Sequence, residues 1–158
     1  MKTSLWDVQA ELVSRFTAAL PDVTVFDGPR IRGGTTPRQF LLVGSDGGDS
    51  GHESLDDGLS AEQEPSDLGP GGWRDETGTI TCSAWAWSGH SSIAASRAAS
   101  RAILDTCETV ITADPTLSGL LDGGGINQVA RVSSNESQRA GGPVVRLVFT
   151  VTYRALIT

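Results

Sequence analysis

The sequence predicts an α+β domain of two layers: a mostly antiparallel four- to five-stranded sheet with two helices packed on one face. Three observations predict it. Two stretches, near residues 3–20 and 92–113, repeat their apolar residues at a helical period. Other stretches alternate with period two, or run apolar for four residues, and stop at turn residues. Their order is helix, strand, strand, loop, strand, helix, strand, strand. The 158 residues make one domain, 1–158, long enough to bury a core, with a long acidic loop inserted at about 45–72.

The first helix is expected from about Thr3 to Leu20. Leu5, Val8, Leu12, Phe16, Ala19 and Leu20 share one face, Asp7, Glu11, Ser14 and Arg15 lie away from it, and Pro21 stops it. Val23–Phe26 reads as a short strand ended by the Asp27-Gly28-Pro29 turn. After a connection over residues 31–38, Phe40–Val43 is a second strand. It is apolar on both faces and therefore internal to the sheet.

The acidic stretch follows. Between Ser45 and Gly72 stand Asp46, Asp49, Glu53, Asp56, Asp57, Glu62, Glu64 and Asp67, with no lysine or arginine. Glycine, serine and proline fill most other positions, so the stretch reads as a structureless polar insertion, solvated or functional. Its removal, from Asp46 to Leu68, is expected to leave the domain folded.

Thr77–Ser88 is the third strand. Ile80, Cys82, Ala84 and Ala86 point one way; Thr79, Thr81, Ser83, Trp85 and Trp87 point the other. With helices over the Ile80 face, the two tryptophans fall on the open face, packed under the loop or held for a subunit contact. The opposite parity would place them in the core. Ser91 or Ser92 caps a second helix from about Ser92 to Ala113, which Asp114-Pro115 terminates. Arg97, Arg101, Asp105 and Glu108 form its charged stripe. Ala95, Ala99, Ala102, Ile103 and Val110, extended by Ile93, Leu104, Cys107 and Ile111, make an apolar arc wider than a sheet contact needs. The surplus is expected to meet the first helix or a neighbouring subunit. Ile126–Ser133 is the fourth strand, Asn135–Gly142 the turn, and Val144–Ile157 a long fifth strand. Val145, Leu147, Phe149, Val151, Tyr153 and Ala155 suit a core. The intervening set, with Arg146 and Arg154, suits water or a partner.

Net charge is −7, yet outside the acidic stretch twelve basic residues face eleven acidic ones, so the acidity is local. No run of Lys or Arg supplies phosphate contacts, which disfavours wrapping nucleic acid. Eleven of the twelve basic residues are arginine, as in a GC-rich genome. No signal peptide or membrane-length apolar run is seen, and Cys82 and Cys107 are expected to be buried free thiols.

Chemistry is sought at five places and finds no pattern. His52 and His90 lack a second histidine or cysteine at metal spacing. Asp46, Asp49 and Glu53 lack the spacing and closing glutamate of a calcium loop. Gly33-Gly34-Thr35-Thr36 lacks the lysine of a phosphate loop. Gly123-Gly124-Gly125 follows a helix instead of opening one. Neither cysteine has an evident histidine partner. No enzyme activity, metal or cofactor is expected.

The ordered set of signals resembles the tail terminator family of long-tailed phages, also called tail completion or tail-to-head joining proteins. The resemblance is carried by an N-terminal amphipathic helix leading into Val23-Thr24-Val25-Phe26-Asp27-Gly28-Pro29, then by Phe40-Leu41-Leu42-Val43-Gly44 and a variable polar loop. Thr77–Cys82 follows, the strand ending in Trp87-Ser88-Gly89, then Ala113-Asp114-Pro115-Thr116-Leu117-Ser118-Gly119 and Gly142–Val151. It covers nearly the whole chain outside the loop.

What the resemblance implies is a structural, non-enzymatic virion protein. Such proteins form a ring, typically a hexamer, at the head-proximal end of the tail tube. The ring ends tube polymerisation and joins the tail to the head connector or stopper, while DNA passes through without specific binding. No membrane and no cofactor are implied, and assembly takes place in the bacterial host cytoplasm. The expected subunit-interface residues are Trp85, Trp87, Ile93, Leu104, Ile111, Arg146 and Arg154. The eight carboxylates of the loop are expected to fringe the channel or reach a neighbouring ring. A head completion or tail tube protein is the alternative, followed by a small-molecule-binding α+β module, which would need an apolar pocket with convergent polar groups.

Overall fold

The computed structural model describes residues 2–29, 36–48, 58–66, 72–87, 89, 92–121, 123–139 and 141–158. It is an α+β fold with two helices packed on a mixed, mostly antiparallel sheet of six strands. The elements are α1 (Leu5–Ala19), β1 (Thr24–Asp27), β2 (Gln39–Val43), β3 (Leu59–Pro65), β4 (Arg74–Trp87), α2 (Ile93–Ala113), β5 (Gly125–Arg139) and β6 (Gly142–Ile157). Strand order is β1-β2-β4-β6-β5, and β3 pairs with the first half of β4 on the edge that β2 borders further along. Among the described strands only β1 and β2 run parallel.

Two expectations are corrected. The acidic stretch is not structureless throughout: Leu59–Pro65 forms β3, fully paired with Arg74–Ile80. Its alternation explains why. Leu59, Ala61 and Gln63 are half-buried, whereas Ser60, Glu62 and Glu64 are exposed, so the segment reads as an edge strand whose charges discourage further pairing. The fourth strand does not stop at Ser133 but runs as β5 to Arg139, with 133–139 continuously paired with β6. Asn135–Arg139 is polar on both sides because it is an exposed edge, and cross-strand pairing overrides its turn-like composition.

The core lies between the helices and one face of the sheet. Val8, Leu12 and Phe16 of α1, and Ile103, Leu104, Cys107 and Ile111 of α2, meet Leu41, Val43, Ile80, Cys82, Ala84, Phe149, Val151 and Tyr153. α1 lies over β1, β2 and β3, α2 lies over β4 and β6, and the two helices touch. The side of α2 facing the sheet also carries serines. Ser96 and Ser100 are buried, and the Ser96 hydroxyl donates to the Pro143 carbonyl at 3.0 Å. Ser92 caps α2, its Oγ accepting from the Ala95 N–H at 3.4 Å.

At the other end, Asp114 accepts from the Ser118 N–H at 2.8 Å and from Thr116 Oγ1 at 2.9 Å. These bonds, with Arg15 at 3.0 Å, hold its carboxyl near a pKa of about 2. Arg15 also bonds Glu11 and Ser118 Oγ, locking α1 to the turn after α2.

A buried carboxylate organises the α1 end. Glu76 is fully enclosed on the core side of β4. Its Oε1 accepts from the Ser4 N–H at 3.0 Å, from the Ser4 hydroxyl and from the Tyr153 hydroxyl at 3.0 Å; its Oε2 accepts from Gln63 Nε2 at 2.7 Å. Burial pushes the carboxyl pKa up, but hydrogen bonds from Ser4, Thr3 and Gln63 outweigh it and leave it below the ordinary value. The charge stands at the positive end of α1, where a helix favours an anion. Gly78 makes room for the arrangement: a Cβ there would lie 2.1 Å from the Tyr153 ring.

Candidate functional site

The open face of the sheet is the side away from both helices. Cross-strand partners share a face, so the register fixes its membership. Phe40, Trp85, Arg146 and Asn135 form one row across β2, β4, β6 and β5. Threonines 77, 79, 81, 150 and 152 occupy the middle, while Glu62, Glu64 and Asp75 lie at the far end. Hydroxyls of Thr150 and Thr152 donate to the carbonyls of Ala130 and Gln128 at 2.8 and 3.4 Å. These residues lie beside the two register shifts of β5, where the backbone ladder is broken.

Trp85 is the centre of the row. Its ring stacks on Phe40 at 5.4 Å and 12°, and Phe26 meets Phe40 edge-on at 5.9 Å. Two guanidinium groups approach the same indole, Arg146 Cζ at 5.7 Å and Arg139 Cζ at 5.9 Å from its centroid. Neither arginine has an acidic partner among the described residues. Residues 45–48 cross over the indole. Ser83 Oγ donates to the Ser45 carbonyl at 3.2 Å and accepts from Trp85 Nε1 at 3.3 Å. Gly47 has φ +73°, and a Cβ there would stand 2.8 Å from Trp85 Nε1, so both its backbone and its close approach require glycine. The result is a cleft of about 150 Å³ lined by Gly47, Trp85, Asn135, Arg139, Val144 and Arg146. Small-molecule pockets run to roughly 300–1,000 Å³; a cleft this size suits a side chain or two of a partner.

The residues expected at a subunit interface do not form one patch. Trp85 and Arg146 share the cleft described above, and Trp87 is half-buried on the same face. Arg154 lies at the other end of that face, paired with Asp75 at 3.0 Å. Ile93 is half-buried at the start of α2. Leu104 and Ile111 are corrected: at 8% and 5% exposure they belong to the subunit's own core, where the arc of α2 is occupied by α1 and the sheet.

Of the eight carboxylates, Glu62 and Glu64 are exposed on β3, and Asp46 is half-buried, accepting from the Gly48 N–H at 2.8 Å. Asp49, Glu53, Asp56, Asp57 and Asp67 lie outside the described residues, as do His52, His90 and Gly33-Gly34-Thr35. Cys82 and Cys107 are buried free thiols, and burial pushes Cys82 up to about 12 and raises Cys107 as well. Among the described residues no three His, Cys, Asp or Glu side chains gather as metal ligands, and no helix is long and apolar enough to cross a membrane.

Three features escaped the sequence reading. Glu76 falls in phase with Gly78, Ile80 and Cys82, so parity alone would have flagged a buried carboxylate had the strand been begun earlier. Arg139 reaches Trp85 only through the hairpin register, which no local pattern encodes. Phe40 has the wrong neighbours in sequence to announce that it stacks on Trp85. Comparison with known protein families and with curated proteins finds no match for the chain.

Proposed function

We propose that the chain is a ring-forming structural protein of the tail terminator kind, seated at the head-proximal end of a phage tail tube. There it ends tube polymerisation and joins the tail to the head connector. The work is non-enzymatic, the ring is a hexamer, and DNA passes through its centre without specific binding.

The observation that carries this reading is where the resembling segments fall in the fold. Asp27-Gly28-Pro29 closes β1, Phe40–Val43 makes up β2, and Thr77–Trp87 is most of β4. Asp114–Gly119 is the turn after α2, and Gly142–Val151 opens β6. The segments therefore lie at successive joints of one two-layer fold with both helices on one side. That layout leaves a broad sheet face whose two ends differ in chemistry. A ring requires such difference, because its contacts join two unlike patches. The acidic stretch serves assembly, by like-charge repulsion of DNA in the channel or by contact with a neighbour.

The test is to add purified protein to growing tail tubes. A terminator stops elongation and appears as a single-layer cap at one end. Long tubes made of this chain alone would favour a tube protein instead. Unaltered tube growth with no cap would overturn the proposal.

A further inference from the structure

The open face carries two charged corners that no ion pair among the described residues neutralises. At one corner Glu62 and Glu64 are exposed on β3 and make no ion pair among the described residues. The nearest cation on the same face, Arg154 opposite Thr77, is already bound to Asp75 at 3.0 Å, and Arg74 opposite Pro65 points to the other face and bonds Gln63. At the other corner Arg139 and Arg146 lie against Trp85 with no carboxylate partner among the described residues. The acid lining that cleft, Glu136, is already held by Arg97 through two bonds, the longer at 2.8 Å. Each corner thus has an opposite charge beside it that is engaged elsewhere.

The corners cannot serve each other within one chain. Glu62 pairs with Thr77 and Trp85 lies further along the same strand, a separation of about 26 Å at the rise of a strand. That is several times the screening length of about 8 Å at physiological salt.

We infer that a second copy of this chain completes the face: the Glu62–Glu64 corner of one subunit seats against the Trp85–Arg139–Arg146 cleft of the next. The cleft suits the occupant, since a carboxylate entering it meets two guanidinium groups with an indole floor. Apolar surface accompanies charge at the acidic corner, where Trp73 directly precedes β4 and is 39% exposed, an aromatic of the kind enriched at interfaces. Because the two corners differ, the contact is head-to-tail and can repeat around a ring. The inference rests on the ring reading and specifies its interface.

The experiment is sedimentation velocity at low and high salt on the wild-type chain and three charge-swap variants: R139E/R146E, E62R/E64R and all four together. Each double variant is expected to weaken self-association at least about a hundredfold, because like charges then face each other. Mixing the two doubles, or combining all four changes, should restore it, and association should weaken as salt rises. Near-UV circular dichroism checks the fold. Should Arg146 in the cleft prove too well packed to replace, R139E paired with E62R/E64R tests the same contact from exposed positions.

Double variants that assemble like wild type would overturn the interface and leave the ring reading standing. A monomer of lowered stability with unchanged association would assign the arginines to the chain's own acidic stretch, also overturning it. A wild-type dimer that the swaps dissociate would support the interface but sink the ring. A wild-type chain that stays monomeric at every salt concentration and with tail tubes present would sink both.

Discussion

Glu76→Gln removes one charge from the inside of the subunit with almost no change of shape. The carboxylate accepts hydrogen bonds from the Ser4 N–H, the Ser4 hydroxyl, Tyr153 and Gln63, among others. In the amide, one oxygen still serves Ser4 and Tyr153, but as a neutral acceptor. The new NH₂ faces Gln63 Nε2, a donor against a donor. Gln63 cannot turn over freely, because that same Nε2 also donates to the Lys2 carbonyl at 2.8 Å. Bonds to a charged group contribute about 1.5–3 kcal/mol each and neutral ones about 1 kcal/mol. The charge at the α1 terminus adds about 0.5 kcal/mol. Offset by the easier burial of an amide, the net loss is about 2–3 kcal/mol. Glu76→Ala, which leaves buried donors unpaired, should lose about 4 kcal/mol. Urea unfolding, with the midpoint compared at constant slope, measures both.

The pH dependence separates this account from simple packing. The folded carboxyl sits below its ordinary value, so its contribution is complete above the unfolded value of about 4.3. It is lost as pH falls from there through the folded value. The stability gap between wild type and Glu76→Gln should therefore shrink on acidification. Equal stability at pH 7 would refute the reasoning. So would a gap that widens below pH 5, because it would mean that the folded carboxyl binds its proton more tightly than the unfolded one.

Other perturbations follow from the same contacts. Gly78→Ala places a methyl 2.1 Å from the Tyr153 ring and should cost about 3 kcal/mol in urea unfolding; a neutral substitution would show that the ring has room to move. Deleting residues 46–68 removes β3, the Gln63 bond to Glu76 and the Leu59 contact with the core, a loss of about 3 kcal/mol. A midpoint unchanged from wild type would restore the view of the whole stretch as a dispensable insertion. Thiol reagents at pH 8 should leave Cys82 and Cys107 unlabelled until denaturant is added, since both are buried with raised pKa values; rapid native labelling would contradict their place in the core.

The sequence carried the layers and most of the strands because those depend on local periodicity. The phase of Ile80, Cys82 and Ala84 against Trp85 assigned both faces of β4 correctly, and Ser92 and Asp114-Pro115 marked the ends of α2. The misses share one physical cause, that pairing is non-local. β3 is rich in glutamate and ends in proline, a poor strand by composition, and exists because β4 extends beyond β2 and offers an unpaired edge. The polar run of β5 is held straight by β6, not by its own propensity. At the candidate site, Trp85 and Arg146 were legible as outward-pointing members of alternating strands. Their meeting with Arg139 and Phe40 needed strand order, which periodicity does not contain. For Leu104 and Ile111 the first helix and a neighbouring subunit were both open, and naming them interface residues missed because the position of α1 against α2 is likewise a tertiary fact.

Ring formation is the central claim, and particle mass in solution together with images of the same particles tests it most directly. The account predicts closed, single-layer rings whose mass is a whole multiple of the 16.5 kDa chain, six for a hexamer, formed by the chain alone or at the end of added tail tubes. A monomer under every condition, tail tubes included, would contradict it.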